Sequence, residues 1–242
     1  MGGRPPVRGG TQPPQSQEST SSASDIDTFL SKVAAAPRQQ GGRGRLVFAL
    51  DATMSRQPTW DQACHLQAEM FQEAGKIAGL DIKLVYFRGF GECRASRWFT
   101  KANELAAAMS KIDCRGGRTQ IGKVLTAGLN EAKKDKVHAL VYVGDCMEEH
   151  VDDLCHKAGE LGLLGVPVFL FQEGHDPVAE QAFREIARLT NGAFCRFDAG
   201  SARQLGDLLK AVAVYASGGR DALAALEKSG GQGARLLIRQ MK

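Results

Sequence analysis

The chain has 242 residues, 43% hydrophobic and 24% charged, proportions that fit one α/β domain with tails and exclude a fibrous or wholly disordered protein. Its net charge of +4 sits at the ends: residues 1–45 and 219–242 each carry +3, leaving −2 between them, so the domain lacks the basic footprint of a nucleic-acid binder. The first residues are Gly, Arg, Pro and Gln rather than a leader with an apolar stretch, and the most apolar region, 161–171, is far shorter than the roughly 20 residues of a membrane span, so a cytoplasmic location is expected.

In chain order, residues 1–44 are expected to form a disordered tail rich in Gly, Pro, Ser and Gln, with a short amphipathic helix at 25–35 presenting Phe29, Leu30 and Val33 on one face. The domain is placed at 45–217. It opens with an apolar strand at 46–50. Thr59 and Gln62 have the spacing of a capping box for a helix that buries Ala63, Leu66, Met70, Ala74 and Ile77. A second strand at 82–87 runs through Gly89-Phe90-Gly91 directly into a third at 92–99. That link is too short for a crossover helix, so the third strand should be antiparallel and lie at a sheet edge.

A helix follows at 101–111, and Gly116-Gly117 breaks the chain before a helix that begins near Thr119 and buries Ile121, Val124, Leu125 and Leu129. Strands at 139–143, 166–171 and 193–197 then alternate with helices at 150–162, 178–190 and 201–216. This alternation predicts a doubly wound, mostly parallel sheet with one antiparallel edge strand and helices on both faces. Residues 218–242 read as a basic helical extension.

Three segments end apolar runs or turns with oxygen-bearing side chains. Strand 46–50 runs into Asp51-Ala52-Thr53-Met54-Ser55, the glycine break into Arg118-Thr119, and strand 139–143 into Gly144-Asp145. Ligands of open α/β sheets bind outside the carboxyl ends of strands, where the strand order reverses. Two carboxylates and three hydroxyls converging there form an all-oxygen donor set, the chemistry that suits Mg²⁺ or Mn²⁺. Glu148 and Glu149 read as the first turn of the next helix, where acids favour the dipole. The six cysteines (Cys64, Cys93, Cys114, Cys146, Cys155 and Cys195) have neither CxxC nor zinc-type spacing and read as free, buried thiols in a reducing compartment. The histidine spacing draws no catalytic arrangement, and no nucleotide-binding glycine loop is present.

The order Asp-x-Thr-x-Ser, Gly-Gly-x-Thr, Gly-Asp resembles the von Willebrand factor A domain over about residues 45–217, and the antiparallel third strand is a feature of the same family. The family's metal-ion-dependent adhesion site is written Asp-x-Ser-x-Ser, Thr, Asp. On that pattern Asp51, Ser55, Thr119 and Asp145 match, and Thr53 replaces a serine while keeping the hydroxyl. The resemblance implies a non-enzymatic adaptor in which Mg²⁺ (or Mn²⁺) keeps one coordination position open for an acidic residue of another protein. Some stand-alone intracellular members of the family act beside AAA+ ATPases.

An enzymatic alternative is a Mg²⁺-dependent phosphatase similar to the haloacid dehalogenases, with Asp51 as nucleophile. That family writes Asp-x-Asp, and the second Asp, its general acid, is Thr53 here. A hydroxyl is a poor proton donor beside a tuned carboxylic acid.

Overall fold

The computed structural model describes residues 43–57 and 80–197, with positions 206, 207, 209–214, 216 and 222. The expected helices at 25–35 and 59–77 lie outside the described residues, as does the terminal extension apart from Ala222, which packs against the core.

Six strands form one sheet in the order β3-β2-β1-β4-β5-β6. They are β1 (Gly44–Asp51), β2 (Leu80–Arg88), β3 (Glu92–Phe99), β4 (Ala139–Gly144), β5 (Val168–Glu173) and β6 (Ala193–Phe197). All neighbours are parallel except β2 and β3, which pair antiparallel through the 89–91 turn. Gly89 and Gly91 both have positive φ in that turn, at 61° and 143°, so a side chain at either position would be strained. As expected, β3 is the edge. Its Arg94 and Arg97 are exposed, which discourages strand addition by another chain.

The sheet is covered on both faces because β1 alternates strictly. Leu46, Phe48 and Leu50 enter one core with Leu105 and Met109 of α1 (Ala102–Met109) and with Leu209, Val212 and Ala213. Val47 and Ala49 enter the other core with residues of α2 (Ile121–Ala132), α3 (Val151–Leu163) and α4 (Pro177–Leu189). The central strands are therefore continuous apolar runs, Leu46 to Leu50 in β1 and Ala139 to Val143 in β4, the signature of a parallel sheet buried on both sides. Asp176 caps α4 by accepting from the N–H groups of Val178 and Ala179, at 2.8 and 2.9 Å.

Strand order reverses between β1 and β4. From β1 the chain moves outward to β2 and β3, and it then returns to β4 and proceeds to the opposite edge. The carboxyl ends of β1 and β4 flank the switch-point crevice.

Candidate functional site

Leu50 pairs with Val143, and Gly144 pairs with Gln172, so β1, β4 and β5 end side by side. Three carboxylates follow from that register: Asp51 on β1, Asp145 just past β4, and Glu173 on β5. One ligand atom each from Asp51, Asp145 and Cys146 lies within 4.8 Å of the others.

Asp51 is fully buried. Its Oδ1 accepts from the Thr53 N–H at 2.8 Å, which bends the chain as an Asx turn. Its Oδ2 is buried and has no hydrogen-bond partner among the described residues, and the same is true of Asp145 Oδ1. Burial, helped by the nearby Asp145, pushes the Asp51 carboxyl up to about 6. The bonds from Thr53 and the charge of Arg56 oppose that rise. A cation supplied to these two oxygens would remove the cost of leaving them unpaired.

The hydroxyls of Thr53 and Ser55 lie 3.1 Å apart. Thr53 is buried whereas Ser55 is exposed, so the pair runs from the crevice toward solvent. Thr53 also forms an isolated parallel bridge with Arg115, whose N–H donates to the Ala52 carbonyl at 3.0 Å. This contact docks the 113–119 loop onto the loop that follows β1. The Arg118 N–H then donates to the Gly89 carbonyl at 3.3 Å, where the backbones of Gly117 and Gly89 touch.

Thr119 is buried, and its hydroxyl accepts from the Glu148 N–H at 3.0 Å. The structure thus brings Asp51 and Asp145 together, sets Thr53 and Ser55 on the same loop, and fixes Thr119 against the loop that follows Asp145.

Four features of this region were not read from the sequence. Glu149 does not serve the first turn of its own following helix. Its carboxylate accepts from the N–H groups of Ile121 and Gly122, so it caps α2 from another loop. Cys146, read as a buried structural thiol, stands among the acids. Burial and Asp145 push its pKa up, so it stays a thiol and a poor partner for a hard cation. Tyr142 is buried between Phe87 and Phe183, and its hydroxyl lies against Gly144 without a hydrogen-bond partner among the described residues. Arg56, one residue past Ser55, is only 1% exposed and forms an ion pair with Glu173. An arginine in a polar loop ordinarily reads as solvated, so no pattern in the sequence marks it.

The hard-oxygen donors fit a divalent cation: two carboxylate oxygens without a hydrogen-bond partner among the described residues at the base and a hydroxyl pair leading outward.

No protein-family model matches the chain, and no curated protein matches it in sequence. Solved structures do match it in fold. A von Willebrand factor type A protein from Catenulispora acidiphila superposes with a TM-score of 0.58 at 15% identity, over 72% of this chain and 43% of that one. The chain therefore spans less than half of that structure. The SpRpn10 VWA domain gives 0.54 at 11% identity, over 69% of this chain and 94% of that one. An aerotolerance-related membrane protein from Bacteroides fragilis gives 0.53 at 14%, over 69% and 98%. The fold is that of a von Willebrand factor A domain, a doubly wound sheet with one antiparallel edge strand. Among the described residues, no helix is long and apolar enough to cross a membrane.

Proposed function

We propose that this chain is a divalent-metal-dependent protein-binding module. The observation that carries the reading is the pair of buried carboxylate oxygens, Asp51 Oδ2 and Asp145 Oδ1, left without hydrogen bonds among the described residues at a switch-point crevice. Buried carboxylates in native proteins are paired or coordinate metals. Asp51, Thr53, Ser55, Thr119 and Asp145 would hold Mg²⁺ or Mn²⁺, with Cys146 outside the set because a soft sulfur ligand suits these hard cations poorly. The ion would supply a positive charge with an open coordination position for a partner's carboxylate.

The protein's own residues perform the remaining tasks. The Asx turn at Asp51 holds one carboxylate oxygen inward and leaves the other available. Glu149 stabilises the start of α2, which anchors Thr119. Met54, between the two hydroxyl residues, is 53% exposed and offers an apolar contact beside the crevice. The partner is a protein bearing an accessible Asp or Glu, an AAA+ ATPase being one candidate, and the setting is cytoplasmic.

The phosphatase alternative draws less support. Thr53 is the residue that would have to protonate a leaving group, and its hydroxyl is engaged with Ser55.

Calorimetric titration with Mg²⁺ and Mn²⁺ tests the reading on the wild type and on Asp51→Ala. Binding by the wild type that disappears in the variant is the expected result. Equal binding heats, present in both proteins, would refute the site. Capture of a partner that is lost in chelator and in Asp51→Ala would then establish the open coordination position.

A further inference from the structure

The ion pair between Arg56 and Glu173 fixes where a buried positive charge must run. Arg56 belongs to the 3-10 turn Met54–Arg56 after β1, whereas Glu173 ends β5. Strand β4 lies between β1 and β5 in the sheet. To reach Glu173, the Arg56 side chain must therefore cross the end of β4, where the chain continues into Asp145. The residue is 1% exposed, so water screens its charge little. Both aspartates act on the guanidinium electrostatically.

We propose that Arg56, held in place by Glu173, is a resident counter-cation that sets the divalent-metal affinity of the Asp51/Asp145 crevice. The inference rests on the metal-binding reading above. A fixed positive charge across a crevice opposes an arriving dication and partly neutralises the carboxylates when no ion is bound. Glu173 matters because it draws the guanidinium toward β5. Its carboxylate offsets the guanidinium charge, and without it that charge acts on Asp51 and Asp145 with less compensation and opposes the metal more strongly. An ordinary structural ion pair predicts no such opposition. Loss of either partner would then loosen the site and weaken metal binding in both cases.

The test is calorimetric titration of the full chain with Mg²⁺ alone and with Mn²⁺ alone, in wild type, Arg56→Met, Arg56→Lys and Glu173→Gln. Melting temperatures in chelator identify any variant that fails to fold. Arg56→Met should tighten metal binding by about tenfold or more. Glu173→Gln should weaken it several-fold, and Arg56→Lys should stay near wild type because the charge is retained. Should Arg56→Met not fold, Arg56→Gln, which also removes the charge, takes its place and should likewise bind metal more tightly while Glu173→Gln binds it more weakly. Weaker binding in both Arg56→Met and Glu173→Gln, or no change in either, overturns the proposal. If the wild type binds metal while Arg56→Met fails to tighten it, the counter-cation role fails and the site survives. If no variant binds metal at all, the site itself fails and the role fails with it. A wild type that is silent beside an Arg56→Met that binds, with binding lost on adding Asp51→Ala, supports both.

Discussion

Thr119 and Glu148 hold each other through two hydrogen bonds in opposite directions. The Thr119 N–H donates to the Glu148 carboxylate at 3.1 Å, and the Glu148 N–H donates to the Thr119 hydroxyl at 3.0 Å. The pair clasps the loop before α2 to the loop after β4, so the placement of Thr119 depends on the segment that carries Asp145. Thr119→Val keeps the shape of the side chain but removes the acceptor, leaving a backbone donor unpaired. It should cost about 1–2 kcal/mol in urea unfolding. Thr119→Ser should recover most of that loss. A Val variant as stable as wild type would show that the clasp contributes nothing.

The two glycines before Thr119 are not equivalent. A Cβ on Gly117 would stand 2.0 Å from the Gly89 carbonyl oxygen and 2.6 Å from its Cα, both backbone atoms that cannot rotate away. A Cβ on Gly116 would meet nothing within 4 Å. Gly117→Ala must therefore separate the β2–β3 hairpin from the loop that carries Thr119. A loss of about 2 kcal/mol or more is expected, with weaker metal binding. Gly116→Ala should change stability by less than about 0.5 kcal/mol. Equal melting temperatures for the two variants would show that the loops are not packed this closely.

Asp51 combines full burial with a neighbouring carboxylate, an arrangement that suits a bound cation and penalises its absence. Asp51→Asn retains the shape and removes one charge. In chelator the variant should melt higher than wild type, by an amount corresponding to about 1–3 kcal/mol. Added Mg²⁺ or Mn²⁺ should raise the wild-type melting temperature and leave the variant unmoved. An Asn variant that is less stable in chelator would mean that Asp51 serves the fold rather than a ligand.

The architecture was legible because its signals are local. Strand β1 is apolar at every position from Leu46 to Leu50, and the three-residue link after Arg88 leaves no room for a crossover, which forces β3 to be antiparallel. Boundaries moved by a residue or two. Strand β5 starts at Val168 rather than 166, after Pro167, which has no N–H to give to the ladder. Asp51, Thr53 and Ser55 were readable because their spacing is written within one loop. Arg56, Tyr142 and Glu149 were not. Each acquires its meaning from partners far away in the chain: Glu173 for Arg56, Phe87 and Phe183 for Tyr142, and the start of α2 for Glu149. No composition or period in a single strand or helix encodes those meetings.

His138 and Asp51 titrate in overlapping ranges with opposite consequences for stability. The His138 Nδ1 accepts from the Arg45 N–H at 2.7 Å, and the His138 N–H donates to the Arg45 carbonyl at 2.8 Å. Burial, with the charges of Lys136 and Arg45, holds the imidazole down to about 4, against 6.5 for a free histidine. The unfolded chain therefore binds the proton first, and stability present above pH 6.5 is lost as pH falls toward 4. Asp51 behaves in the reverse sense. Its folded value of about 6 exceeds the free value of 3.8, so the folded metal-free chain binds the proton first and gains stability as pH falls from 6 to 3.8. Each effect is on the order of 2–3 kcal/mol, so in the metal-free wild type the two contributions oppose and largely offset each other between pH 6 and 4. Asp51→Asn should expose the falling limb, with stability dropping on acidification. His138→Asn, whose amide oxygen can replace Nδ1 as acceptor, should expose the rising one. Urea unfolding at half-unit pH steps in chelator checks both, and parallel profiles for the two variants would refute the opposition.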